Sequence, residues 1–360
     1  MLVGGDAVGS SFSSFPGVLR GVCAAACLRG DLVEERSPWV YVGEEGAAAV
    51  SDLKYHISVG LDGLAVVLGV VDALARDVGF PYKVVDSLAE AERFNAGDYG
   101  YVQVGKLVTV YPLRGSEVEV GIVLAHELCA HAGVRPPSDL RVRNSSCVYG
   151  RCESSSRAPL DVRGAGELHR RFPGLFEDLP VDSPLPARYL PLEVLLRRGG
   201  GIRAKGVDLE ASSAEGNVRL VFLKEARRRA ERDMTGRDAY DRLLHEGEMR
   251  AVLALDTVDP FSDVLELDPD RLLTVRPWRE GRTLRQVVTE KGKSDDAMAS
   301  AIRVFSERVV RPAHDRGVCL GGLAPDNLVM DAGGTLHMID LDDAEYLGVS
   351  TPVSSSSRFP

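Results

Sequence analysis

The sequence predicts an α+β protein of two layered units, each with helices packed on a sheet. Short segments such as Leu53-Lys-Tyr-His-Ile-Ser58 alternate apolar and polar residues, the signature of a half-buried strand. Longer segments such as Leu64–Val78 repeat apolar residues at helical spacing. A stretch rich in Ser, Pro and Gly, residues 156–190, separates two such patterns. The chain has 360 residues, 44% of them hydrophobic and 27% charged, which is room for about two domains with their own cores.

Residues 1–36 carry many Gly and Ser with weak periodicity and read as an irregular N-terminal segment. The first domain is expected over 37–155. It opens with a strand at Trp39-Val-Tyr-Val42 and the alternating strand at 53–58. A helix over 64–78 stops at Gly79, a strand follows at Pro81–Val85, and a short helix at Leu88–Phe94. Gly105–Tyr111 reads as a strand ended by Pro112, and Glu117–Ala132 as a helix with Gly133 in the capping place. The linker 156–190 is expected to hold one short helix. The second domain, 191–348, begins with strands at Leu192–Leu196 and Gly206–Glu210 around a glycine cluster. A strand at Val218–Lys224, a long helix at Asp238–Leu255, a strand at Leu272–Arg276 and a helix at Ala297–Arg316 follow. Residues 349–360 form a Ser-rich tail expected to be disordered.

The net charge of −10 argues against general nucleic-acid binding, which needs a positive surface. No run approaches the roughly 18 apolar residues of a membrane span, and no charged segment precedes an apolar one at the start. These features predict a cytoplasmic protein without a membrane partner. The six cysteines read as reduced thiols. His126-Glu-Leu-Cys-Ala-His131 is not a zinc-protease motif, because histidines five apart lie about 140° out of register on a helix.

The motif of greatest weight is Leu320-Gly-Gly-Leu-Ala-Pro-Asp-Asn327, followed by Ile339-Asp-Leu-Asp342. Protein kinases place an aspartate three residues before such a proline to orient the acceptor hydroxyl, an asparagine two after it on a metal, and a second metal-binding aspartate after the next hairpin. Pro325, Asn327 and Asp340 occupy those places, and Asn327 and Asp340 would hold Mg. Upstream, Lys224 matches the strand lysine that meets the phosphates, and Glu246 lies on the next helix where its partner carboxylate belongs. Gly200 and Gly201 could lend backbone amides to phosphate. ATP is the expected nucleotide. The base position, however, is Gly322, which can neither accept a proton nor orient a hydroxyl. Asp326, within the motif, is near the base position but its side chain should point elsewhere. The expectation is a module that binds nucleotide and is deficient in phosphoryl transfer.

The first domain concentrates cations on strands. Lys54 and His56 share a strand face because side chains repeat every two residues. Lys83, Arg93, Lys106 and Arg141 follow. Convergent Lys, His and Arg suit a doubly charged phosphate monoester.

Taken together, both halves resemble the class III and class IV lanthipeptide synthetases. The resemblance rests on Leu53-Lys-Tyr-His-Ile-Ser58, Phe80-Pro-Tyr-Lys83, Arg93-Phe-Asn95, Gly105-Lys-Leu-Val-Thr-Val-Tyr-Pro112, and Pro137-Ser-Asp-Leu-Arg141 with Tyr149-x-Arg151. In the second half it rests on Leu223-Lys-Glu-Ala-Arg227 and Gly317–Asn327. It implies a phosphothreonine-lyase-like N-terminal domain followed by a protein-kinase-like small lobe and partial large lobe. It further implies a lyase that needs no cofactor, with Lys83 as base, His56 as acid, and Lys54, Arg93, Lys106 and Arg141 around the phosphate. Lys83 would have to be neutral and His56 protonated at working pH. The implied partner is a precursor peptide bearing Ser or Thr, with a separate cyclase or a complete synthetase as a further partner. The departures are Gly322 in place of aspartate, Phe94 between Arg93 and Asn95, and an incomplete large lobe with no cyclase after it. Two alternatives stay open at this point: a catalytically dead scaffold or partner of a complete synthetase, and a Ser/Thr kinase completed by a partner.

Overall fold

The computed structural model describes residues 14–43, 49–152, 162–177, 185–232, 236–253, 258, 261–291 and 296–346. The expected tail, 349–360, lies outside them. The chain divides into two compact units. The first is residues 1–183 with the short pieces 198–200 and 229–231, and the second is 184–197, 201–228 and 232–360.

The first unit is built on a mixed-order antiparallel sheet. Its elements are α1 (Phe15–Arg29), β1 (Val33–Arg36), β2 (Trp39–Val42), β3 (Leu53–Ile57), α2 (Leu64–Val78), β4 (Tyr82–Val85), α3 (Leu88–Ala96), β5 (Val108–Val110), α4 (Glu117–Glu127), β6 (Leu140–Arg141), β7 (Val148–Cys152) and α5 (Val162–Arg171). The seven strands run in the order β1-β2-β4-β5-β3-β7-β6. One face of β3 is entirely core: Leu53, Tyr55 and Ile57 are fully buried among Leu64, Val67, Leu68 and Val71 of α2 and Val120 and Leu124 of α4. That leaves the opposite face of the same strand to Lys54 and His56.

Three expectations about this unit change. Residues 15–29 are helical rather than irregular: Phe15, Leu19, Val22 and Ala26 recur at spacings of four and three and enter the core. Pro16 sits in the first turn and Gly30, at φ 85°, caps the end. The short helix expected within 156–190 is present as α5, but the region is no mere linker: Leu168, Phe172, Leu175 and Phe176 complete the same core. Helix α4 ends at Glu127, not at Ala132. Residues 132–134 are bound instead to the end of β3, through Gly60 N–H to Ala132 O at 3.0 Å and Ser58 Oγ–H to Val134 O at 2.5 Å. A Cβ on Gly133 would overlap the backbone of Ser58 and Val59, so only glycine permits that approach.

The second unit starts with a five-stranded antiparallel sheet of order β11-β12-β10-β9-β8. Its elements are β8 (Tyr189–Arg198), β9 (Gly201–Asp208), α6 (Leu209–Glu215), β10 (Arg219–Arg227), α7 (Ala239–Leu253), β11 (Asp263–Asp268) and β12 (Arg271–Pro277). The strand expected over 206–210 ends at Asp208, whose carboxylate accepts from Ala211 N–H at 3.0 Å and caps α6. Then come β13 (Arg282–Thr283), α8 (Leu284–Lys291), α9 (Asp296–Phe305), α10 (Arg311–Asp315), β14 (Val318–Cys319), β15 (Leu328–Met330), β16 (Leu336–Met338) and β17 (Glu345–Tyr346). The single helix expected over 297–316 is α9 and α10 joined by a π-helical turn at Ser306–Val310. Met249, Leu253, Phe305, Val309, Leu336 and Leu341 share one core beneath these elements.

Candidate functional site

Strand register assembles the site of the first unit. Pairing across five strands sets Tyr41 opposite Lys83, Lys83 opposite Thr109, Thr109 opposite His56, and His56 opposite Tyr149. Arg141 then pairs with Tyr149. Directly opposed residues project from the same face of a sheet, so these side chains form one row. Lys54 and Arg151, two residues along β3 and β7, are paired beside it. Of the residues expected to act together, Lys83, His56, Lys54 and Arg141 therefore share one surface.

Aromatic rings position the lysines. Lys83 Nζ lies 4.6 Å from the centre of the Trp39 ring, 5.4 Å from Tyr41 and 6.0 Å from Tyr111. Lys54 Nζ stands 5.0 Å from the same Tyr111 ring, which is thus shared by both cations.

A fully buried carboxylate touches the row at His56. Asp139 accepts a short hydrogen bond from His56 Nδ1 on one oxygen, and its other oxygen lies 3.0 Å from Lys106 Nζ. Ser138 Oγ–H donates to that second oxygen at 2.7 Å. Burial alone would raise the Asp139 pKa, but Lys106 and His56 outweigh it and hold the carboxyl far below the usual carboxylate range. Lys106 is pushed below the usual lysine value by burial, against the pull of Asp139. His56 is pushed down to about 4, chiefly by burial, with Lys106 and Lys83 opposing the attraction of Asp139. The neutral ring therefore directs Nδ1–H at Asp139 and leaves Nε2 as the outward nitrogen. A protonated His56, expected from the chemistry, is not the state this environment favours at neutral pH in the absence of an anion.

Arg93 does not join the row through any of its described contacts. Its guanidinium lies 2.9 Å from Glu90, 3.6 Å from Asp98 and 4.8 Å from the centre of the Tyr99 ring, all on α3 or the turn after it. The helix explains this, since residues three apart are surface neighbours. Lys106 belongs to the buried layer under the row. Arg141 Nη1 approaches Glu177 at 3.8 Å. Sequence reasoning missed Asp139 and Arg151 although both lie within motifs it had singled out. A carboxylate between Ser138 and Arg141 gave no sign of its burial, because the contact to His56 spans 83 residues.

In the second unit, Lys224 Nζ lies 2.8 Å from Glu246 Oε2, 3.1 Å from Asp340 Oδ1 and 2.7 Å from Asp342 Oδ1. Glu246 is also held by Arg250, whose Nε–H donates to Oε1 at 2.9 Å. Burial would lower the Lys224 pKa, but the three carboxylates outweigh it and hold the ammonium above the usual lysine range. Burial would raise Glu246, yet Lys224 and Arg250 hold it well below the usual range. Asp342, which sequence reasoning passed over, is pushed up to about 7 by burial, against Lys224 and with the repulsion of Asp340 and Glu246. Glu246, Asp340 and Asp342 each bring an oxygen within 4.8 Å of the others; Lys224 meets all three, and Arg203 Nη2 lies 3.5 Å from Asp340 Oδ2 and 3.9 Å from Asp342 Oδ2. Asn327 Nδ2–H donates to Gly322 O at 2.9 Å. The hard oxygens of Asn327 and Asp340 are the donor type that Mg takes.

The glycine cluster is placed differently from the expectation. Gly200 N–H donates to Glu231 Oε1 at 3.1 Å, so that amide is engaged. Gly201 has φ 139°, and a Cβ there would overlap Glu225 O, which accounts for glycine at the start of β9. Asp326 is bound by the exposed Arg285, Nε–H to Oδ2 at 2.7 Å. His126 is exposed on the last turn of α4.

Among the described residues, no helix is long and apolar enough to cross a membrane. No curated protein matches the chain. Residues 21–171, less than half of the chain, match the family model described as RamC, N-terminal domain. RamC is a lanthipeptide synthetase-like protein, so the segment that carries the row of Lys54, His56, Lys83 and Arg141 is similar to a domain of that family.

Proposed function

We propose that the first unit eliminates phosphate from phosphorylated Ser or Thr of a peptide. The observation that carries this reading is the cross-strand row: Lys83 and His56 flank Thr109, with Lys54, Arg151 and Arg141 on the same face. A β-elimination needs a base at Cα and an acid at the leaving oxygen a few ångströms away, within a cationic surround. In the proposed step Lys83 Nζ takes the Cα proton, and the C–H electrons form the Cα=Cβ bond. The Cβ–O bond breaks, and its electrons leave on phosphate. His56 Nε2 gives its proton to the departing oxygen.

The state of His56 follows from the same geometry. Without an anion, burial and neighbouring cations keep it neutral. A phosphate dianion against Nε2 reverses that balance, so substrate brings the acid's proton on with it. Asp139 holds the ring by Nδ1 and offsets the imidazolium. In this reading Lys54, Arg151 and Arg141 bind the phosphate oxygens, supported by their pairing on the same sheet face. The likeness of residues 21–171 to a RamC domain supports a ribosomally made precursor peptide as the substrate class.

The second unit is proposed as a nucleotide-binding module, with Lys224 and Glu246 at the phosphates and Asn327 and Asp340 toward Mg. This is supported by the convergence of all but Asn327 on one buried cluster.

The test uses the full chain and a synthetic phosphoserine peptide, followed by mass spectrometry. Wild type should remove phosphoric acid, and Lys83→Ala should slow the loss by about two to four orders of magnitude. No loss with wild type, or equal loss with Lys83→Ala, overturns the lyase assignment and leaves the scaffold reading.

A further inference from the structure

Gly322 stands where the kinase pattern requires a carboxylate, yet the structure brings a carboxylate to that place from another loop. Strands β14 and β17 pair antiparallel, Val318 with Tyr346 and Cys319 with Glu345. Continuing that register sets Gly321 against Asp343, so the residues after β14 run beside those before β17. The approach is close enough to require glycine. A Cβ on Gly321 would overlap the Asp343 carbonyl oxygen. Gly322 adopts φ 65°, the left-handed region, and a Cβ there would lie 2.9 Å from Asp343 Oδ2, 3.4 Å from Asp343 Cβ and 3.5 Å from Asn327 Nδ2.

An aspartate's own carboxylate oxygens lie two bonds from its Cβ, somewhat nearer than the 2.9 Å contact that Asp343 Oδ2 would make with a Cβ at 322. The Asp343 oxygen therefore lies nearly as close to that Cβ position as an aspartate's own carboxylate would, with Asn327 Nδ2 3.5 Å from the same position. Asp343 is exposed, so a substrate hydroxyl can meet it, and no hydrogen bond or ion pair of its side chain is found among the described residues. The Gly-Gly pair thus reads as the accommodation for Asp343 and not as a simple deletion of the base.

We propose that Asp343 is the catalytic carboxylate of the second unit, orienting an acceptor hydroxyl for phosphoryl transfer from a nucleoside triphosphate. The inference rests on the nucleotide-binding reading of that unit, and it replaces the transfer deficiency expected from Gly322. In the step, the acceptor oxygen forms a bond to the γ-phosphorus as the bond from that phosphorus to the β,γ-bridging oxygen breaks. The nucleoside diphosphate leaves with the electron pair, and the hydroxyl proton passes to the Asp343 carboxylate.

Two measurements on the full chain test this. Geometry comes first: Cβ atoms of bridged cysteines lie about 3.8 Å apart, so the double variant Gly322→Cys/Asp343→Cys should oxidise to a disulfide between those positions, mapped by peptide mass spectrometry. Absence of that bridge overturns the juxtaposition. For chemistry, γ-labelled ATP with Mg is offered together with a degenerate Ser/Thr peptide pool. Label on peptide, on the chain itself and as free phosphate is counted, and ATP affinity is measured in parallel. Asp343→Asn should bind ATP as wild type does and lose transfer about 100-fold or more. The swap Gly322→Asp/Asp343→Gly should recover transfer well above Asp343→Asn alone. If ATP binds but no acceptor, water included, takes phosphate, or if Asp343→Asn equals wild type, the assignment of Asp343 fails while the nucleotide reading stands. If ATP does not bind, the nucleotide reading falls and takes this assignment with it.

Discussion

Replacing Asp139 by Asn removes one buried negative charge that touches His56. The carboxylate is fully buried, with Lys106 Nζ at 3.0 Å and His56 Nδ1 in a short hydrogen bond. Asparagine keeps the shape but leaves the Lys106 ammonium, itself only 2% exposed, without its described counter-ion. Breaking one side of a buried ion pair costs about 3–5 kcal/mol, a large part of the ~5–15 kcal/mol by which domains are stable. For a domain of roughly 150–250 residues each kcal/mol moves Tm by about 2–4 °C, so a fall of about 6–20 °C is expected. Differential scanning calorimetry of wild type and Asp139→Asn at pH 7 and pH 9 provides the assay. The sign with pH follows from Lys106. Its folded pKa already lies below the unfolded value and falls further without Asp139. Between those two pKa values the unfolded chain binds more protons, so stability rises with pH. The deficit of the variant should therefore shrink on going to pH 9, by up to about 1.4 kcal/mol per pH unit. A Tm within about 2 °C of wild type at both pH values would refute the view that Asp139 compensates an interior cation.

Three further predictions concern the same unit. His56 has a folded pKa of about 4 against 6.5 when unfolded, so its contribution is present above 6.5 and is lost as pH falls to about 4. That loss amounts to about 3 kcal/mol and should be absent from urea melts of His56→Gln. Titration of inorganic phosphate into the full chain at pH 6.5, in two buffers of different ionisation enthalpy, should show proton uptake, and none in His56→Gln. Gly133→Ala forces a methyl into the backbone of Ser58 and Val59 and should destabilise the unit by about 3 kcal/mol, read by chemical denaturation.

Much of the first unit was legible because its signals are local. The apolar spacing of 64–78 with Gly79 after it gives α2 to the residue, and the alternation of 53–58 gives β3 and its two faces. Helix α1 was in the sequence too, as Phe15, Leu19, Val22 and Ala26, but the Gly, Ser and Ala around them diluted the stripe. The end of α4 was not legible, since Ala132–Val134 leave the helix for hydrogen bonds to a strand more than 70 residues earlier. Arg93 looked like one more cation for the phosphate, yet its neighbours on α3 claim it.

By itself the sequence determined which residues could carry charge chemistry and which of them share a strand face, because the two-residue repeat of a strand is a property of the chain alone. Only the tertiary structure decided that Lys83, Thr109, His56, Tyr149 and Arg141 form one row, that a buried Asp139 meets His56, and that Asp343 Oδ2 comes within 2.9 Å of where a Cβ on Gly322 would lie. Those facts depend on register between strands far apart in the chain, and register is fixed by how a whole sheet face packs into its core.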